Sequence, residues 1–205
     1  MPAGKAQLFN PGPIRKPTGL YYKSLGWNAY RPNVRGDDGE NRMHRSDAMS
    51  WRELRGLVLW LALVLVVAII GGLVTRGSVH GWYPQLVQPD FAPPNAVFGP
   101  VWTVLYVMMA YAAWRIWRVH GFGGAPWALG LFMVQITLNL LWSILFFGFQ
   151  QIGLALFEIV VLWFAILATL LLFWRLDRIA GALLLPYLTW VGFAAFLNHA
   201  FWVLN

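Results

Sequence analysis

Gln135, Asn139, Trp142 and Phe146 are spaced by four, three and four residues in one long apolar stretch. On an α-helix that spacing puts two amides and two aromatic rings on a single face. Phe98, Trp102 and Tyr106 repeat the device at intervals of four, as do Trp190, Ala194 and Asn198. The chemistry open to such stripes is non-covalent. Aromatic faces pack on a flat apolar molecule, and a buried amide fixes a polar edge. Helix packing without a ligand uses the same residue types, with amides bonding between helices and rings filling a core, so both readings stay open on spacing alone. Glu158 is either a proton relay or an interior carboxyl held by hydrogen bonds. No second ionisable group stands at its depth, which favours the hydrogen-bonded carboxyl.

Hydrolysis and group transfer have little to work with. The chain has no Cys, which removes thiol nucleophiles, disulfides and Cys-ligated metals. His44, His80, His120 and His199 form no i,i+4 pair and no haem-attachment motif, and there is no P-loop, no GxSxG and no paired carboxylates. The expectation is a protein that binds rather than catalyses, with no catalytic residue, no metal and no obligatory cofactor.

The elements that carry these stripes follow from the charges. Hydrophobic residues make up 59% of the 205 and charged residues 11%, against roughly 25% charged in a soluble domain. From Val119 to Trp174 the only acidic or basic side chain besides His120 is Glu158. Such stretches are membrane spans. The first lies between Arg55 and Arg76, twenty residues that rise about 30 Å as a helix and cross the hydrocarbon. The second runs from about Val97 to Trp114, and the third from about Pro126 to Phe149 with Pro in its first turn. The fourth runs from Ile152 to Trp174. The fifth runs from Ile179 onward, with Pro186 as a kink. The first span is expected to be an uncleaved helix, not a signal peptide.

Orientation follows from Lys and Arg. Ten precede the first span, two lie in each of the second-to-third and fourth-to-fifth turns, and Arg76 stands alone on the other side. This places the N-terminus in the cytoplasm and the C-terminus on the opposite side. The net charge of +7 is therefore a membrane signature, and no nucleic-acid partner is expected. Trp51, Trp82, Trp114, Trp117, Trp127, Trp174 and Trp202 fall near span ends, where an aromatic belt accounts for them. Residues 1–50 form a basic tail carrying Leu20, Tyr21, Tyr22, Leu25, Trp27 and Tyr30 beside Lys23 and Arg31, read either as an arm on lipid headgroups or as a docking segment. The loop from Gly81 to Pro94 is stiffened by prolines and suits a lid over the bundle mouth.

Taken together, several stretches resemble the TspO/translocator protein family, the tryptophan-rich sensory proteins. They are Trp82-Tyr83, Pro89-x-Phe91-x-Pro93-Pro94, the Phe98/Trp102/Tyr106 stripe, Gln135 through Phe146-Phe147-Gly148, Glu158, Pro186-Tyr187-x-x-Trp190-x-x-Phe193-Ala194, and Asn198. They occur in family order across residues 56–205. The resemblance implies an all-α membrane protein, a five-helix transmembrane bundle over 51–205, commonly a homodimer, in a bacterial inner or intracytoplasmic membrane. It implies a pocket opening toward the long first loop, with Tyr83 and the loop prolines as lid. Phe98, Gly99, Trp102, Asn139, Trp142, Phe146, Trp190, Ala194 and Leu197 would line that pocket. The implied ligand is a tetrapyrrole such as protoporphyrin IX or a haem-like porphyrin, or a lipid-like or drug-like aromatic molecule. The implied role is sensory, in tetrapyrrole, pigment or stress regulation.

The chain departs from the family twice. The cholesterol motif of animal members needs a Tyr and then an Arg, and His199 and Val203 stand there, so cholesterol recognition is not expected. The tail of about fifty residues is foreign to typical members and suits association with a larger membrane complex. Transport of the ligand and its photodegradation at Trp102 and Trp142 are the competing functions. No internal repeat supports the first, and no spacing supports the second.

Overall fold

Lipid offers no partner to a backbone N–H or C=O, so each apolar stretch must satisfy its own and folds as helix. The computed structural model describes residues 49–205, and the aromatic cluster of the tail lies outside them. Six helices follow in order: α1 Trp51–His80, α2 Asn95–Gly124, α3 Pro126–Ser143, α4 Ile152–Leu176, α5 Arg178–Leu183 and α6 Leu185–Leu204. Five spans result, α5 and α6 together forming the fifth. The chain is thus an all-α integral membrane protein that crosses the bilayer five times, and no strand forms among the described residues.

Local chemistry sets the ends. Ser50 Oγ accepts the Glu53 N–H while the Glu53 carboxylate accepts the Ser50 N–H, a reciprocal cap that starts α1. Pro126 opens α3, where its missing N–H costs nothing. α2 outruns the expected boundary at Trp114 by about three turns. The Arg118 guanidinium lies 4.6 Å from the centre of the Trp114 ring, and Arg115 Nε donates to Asp177 at 2.8 Å, so the charged turns stay helical against the bundle. The line breaks at Gly121, whose φ of 62° glycine adopts without steric cost. The fifth span is interrupted at Leu184, two residues before Pro186, which splits it into α5 and α6.

α3 ends in a departure that periodicity did not show. Residues Ile144–Gly148 form a π-turn. The Phe149 N–H reaches Ile144 O at 2.8 Å, five residues back. The wide turn frees the Phe147 carbonyl, which accepts the Ser78 hydroxyl of α1. Gln150 then turns the chain into α4 with a φ of 58°.

The helices close a ring. α1 packs on α2 and α3, α3 on α4, α4 on α5 and α6, and α5 returns to α2. Small residues permit the close approaches. A Cβ at Gly56 would fall 2.0 Å from the Trp117 ring, and one at Gly181 2.8 Å from the Trp174 backbone. The main core, around Trp60, Phe132, Phe173 and Tyr187, fills the bundle from its middle toward the charged end. Trp114 belongs to it and not to the interfacial belt, since it is 3% exposed and its indole N–H donates to Glu53 O at 2.8 Å. Trp51 and Trp127, at 77% and 83% exposed, fit the belt.

Asp177 joins three elements at the charged end. It accepts the Ile179 and Ala180 N–H groups at 2.8 and 3.2 Å, capping α5, and holds Arg115 of α2. Partial burial pushes its carboxyl up, but the Arg115 bond and the two backbone N–H groups outweigh that and hold it below the usual carboxylate range. A depressed folded value means the stabilisation is complete above the ordinary range and is lost as pH falls through the folded value. Asp177→Ala is expected to cost about 1–2 kcal/mol, read as a lowered thermal midpoint at pH 7, with the difference from wild type shrinking as pH falls through the folded value of Asp177.

Candidate functional site

At the opposite end, α1, α2, α3 and α6 part around a cavity of about 420 Å³, within the roughly 300–1,000 Å³ of small-molecule sites. α2 and α6 approach each other only narrowly, and this leaves the space. Each wall comes from one helix face.

α2 supplies Phe98, Gly99, Trp102 and Tyr106, descending from Asn95 at the mouth. Trp102 and Tyr106 have ring centres 5.4 Å apart, and Phe98 meets Trp190 edge-on at 5.8 Å. α3 supplies Trp142 and, from the π-turn, Phe146, with rings stacked at 5.3 Å. α6 supplies Trp190, Ala194, Leu197, Asn198 and Phe201. Tyr83, in the 3-10 turn Tyr83–Gln85, packs its ring 5.4 Å from Phe201 and 5.9 Å from Phe147. It is buried at the mouth, and burial raises its phenol above the ordinary value. The loop beyond is held at two points. Phe91 stacks on Phe196 at 5.0 Å. The Asn205 side chain bonds Val87 in both directions, accepting its N–H at 2.9 Å and donating to its carbonyl at 3.2 Å.

The structure therefore brings Tyr83, Phe98, Gly99, Trp102, Trp142, Phe146, Trp190, Ala194 and Leu197 to one cavity. Asn139 is not at the wall. It is 2% exposed and accepts the Tyr106 hydroxyl at 2.9 Å, so its amide faces a protein partner and holds a wall residue in place. The amide that does reach the cavity is Asn198, which accepts the Trp142 indole N–H at 3.1 Å and donates to Ile152 O at 3.0 Å. Glu158 is buried, but neither carboxyl oxygen finds a hydrogen bond among the described residues. That corrects the expectation of a hydrogen-bonded carboxyl.

The α1 wall was not expected. Ala68, Gly71, Gly72, Thr75, Arg76 and Val79 all line the cavity. A Cβ at Gly72 would meet nothing within 4 Å, so the smallness of this face is what leaves room. The signal was present as small residues at three- and four-residue spacing, ordinarily read as a packing face.

The sequence pattern that defines the TspO/MBR family matches residues 60–203. The chain belongs to this family. Known relatives agree with it. A tryptophan-rich protein TspO from Archaeoglobus fulgidus is 39% identical over 149 residues, 73% of this chain and 96% of that protein. A tryptophan-rich sensory protein from Cereibacter sphaeroides is 36% identical over 149 residues, 71% of this chain and 92% of that protein. The translocator protein of Homo sapiens is 37% identical over 139 residues, 65% of this chain and 82% of that protein. The TspO/MBR match begins inside α1 and takes in every helix that walls the cavity.

Proposed function

We propose that this chain is a sensory membrane receptor that binds tetrapyrroles of the protoporphyrin IX type, and related flat aromatic molecules, in the cavity between α1, α2, α3 and α6. The observation that carries the reading is the wall itself. Phe98, Trp102, Trp142, Phe146 and Trp190 surround one space, and ring faces at close contact suit a broad apolar macrocycle. The names of the Archaeoglobus and Cereibacter relatives, a tryptophan-rich protein and a sensory protein, support it. The role is binding without a chemical step. The basic end of the bundle, with Arg115, Arg118, Arg175 and Arg178, faces the cytoplasm on this reading, so the cavity opens on the other side.

Titration of protoporphyrin IX into detergent-purified protein, followed by tryptophan emission, tests it. Wild type is expected to give saturable quenching. Gly72→Leu, which adds bulk at a cavity-lining position where a Cβ would meet no heavy atom within 4 Å, is expected to raise Kd about tenfold or more, the equivalent of ~1.4 kcal/mol. Non-saturating quenching, equal in both proteins, would mean partitioning into detergent and would remove the cavity as the site.

A further inference from the structure

The cavity is lined mainly by apolar and aromatic side chains, with Tyr106, Ser143 and Asn198 as uncharged polar groups among them, and it is charged only at its rim. Of its lining side chains, Arg76 and His80 alone can carry positive charge, and no Asp or Glu is among them. His80 is occupied in part, because its Nδ1 lies 3.0 Å from Arg76 O. A carbonyl only accepts, so Nδ1 is the donor in this contact and that side of the ring is committed to its own helix. The Arg76 guanidinium is different. Among the described residues it pairs with no carboxylate and donates to no protein acceptor, whereas Arg115 and Arg118 at the far end each face an acid. The one carboxylate in the α1–α2 loop, Asp90, does not line the cavity. An arginine beside an aromatic space with its five donors unassigned is a ready partner for a planar anion.

Position adds to this. Ala68, Gly72 and Arg76 are four apart on the cavity face of α1, so about 12 Å of helix separates the deepest of them from the guanidinium's turn. A ligand whose ring system lies among Trp102, Trp142 and Trp190 would therefore hold an acidic arm toward the loop, at the end where water can reach it.

We propose that Arg76 is an anion anchor, and that the cavity selects flat apolar molecules bearing a carboxylate, bound ring-first with the acid at the rim. The assignment rests on the binding reading above and sharpens its ligand class. Arg76 acts as a specificity residue. It contributes for an acid and contributes nothing for the neutral form of the same ring.

The test compares protoporphyrin IX with its dimethyl ester, on wild type, Arg76→Gln and Arg76→Lys, by the same emission titration. The free acid is expected to bind wild type about tenfold or more tightly than the ester, because a charge-assisted bond is present in one and absent in the other. Arg76→Gln should lower affinity for the acid by a similar factor and leave the ester unchanged, and Arg76→Lys, which keeps the charge, should recover most of the loss. Equal affinity of acid and ester for wild type would overturn the anchor while leaving the cavity reading intact. An equal loss of both in Arg76→Gln would overturn it too, since that pattern means altered packing. Absence of saturable binding by either form would remove the cavity reading and the anchor together.

Discussion

Asn198→Ala is expected to lower both the stability of the bundle and the affinity of the cavity. Asn198 is 1% exposed, and both halves of its amide are used. Its oxygen takes the Trp142 indole N–H from α3, and its nitrogen gives to Ile152 O at the start of α4. One side chain on α6 thus ties three helices. Interhelical hydrogen bonds in a bilayer are worth about 0.6–1.7 kcal/mol each. Alanine removes two and leaves a small void, so a loss of about 2–4 kcal/mol follows. Thermal unfolding in detergent measures it. Trp142 loses the contact that orients its ring, so ligand affinity falls as well. Asn198→Leu refills the space but restores neither bond, and should remain nearly as unstable as alanine. A leucine protein as stable as wild type would show that volume, and not hydrogen bonding, is what Asn198 provides.

Glu158→Met is expected to act in the opposite direction. Glu158 is 6% exposed, and neither oxygen has a hydrogen-bond partner among the described residues. A carboxyl in that position is costly whichever protonation state it takes. Methionine has similar length and a flexible apolar stem, so it fills the site without a void. A gain of about 1–3 kcal/mol is expected, again from thermal unfolding, with protoporphyrin affinity unchanged because Glu158 does not line the cavity. A loss of stability would mean that the carboxyl has a partner, such as a buried water, worth more than its desolvation.

The two substitutions show what could be read from residue order. The helical character of every span, and the convergence of three stripes, followed from hydropathy and from intervals of four. Those quantities depend only on local geometry. What failed depended on which neighbour a side chain meets. Asn139 and Asn198 both sit on stripes as amides, and nothing in their spacing says that Tyr106 turns one inward while the other reaches the cavity. Trp114 stands where an interfacial ring is normal, and only the approach of Glu53 O from α1 makes it core. The glycine-rich face of α1 was legible as small, but smallness serves a close helix contact at Gly56, where a Cβ would fall 2.0 Å from the Trp117 ring, and open space at Gly72. Charge placement was more legible than either, because burying an acid or a base is costly enough to restrict where the chain can put one, with the unpartnered Glu158 as the exception.

The π-turn at Ile144–Gly148 has an evolutionary consequence. A turn closed by five residues holds one more than an α-turn needs, so it is equivalent to a single-residue insertion carried inside a helix. Since one residue advances an α-helix by more than a quarter turn, deleting one between Ser143 and Phe149 would restore ordinary winding and swing whatever follows away from its present face. Phe146 and Phe147 would leave the rings they touch, and the Ser78 hydroxyl would lose its acceptor. Among descendants of a common ancestor, alignments through this segment should therefore tolerate exchange of side chains far better than any change of length.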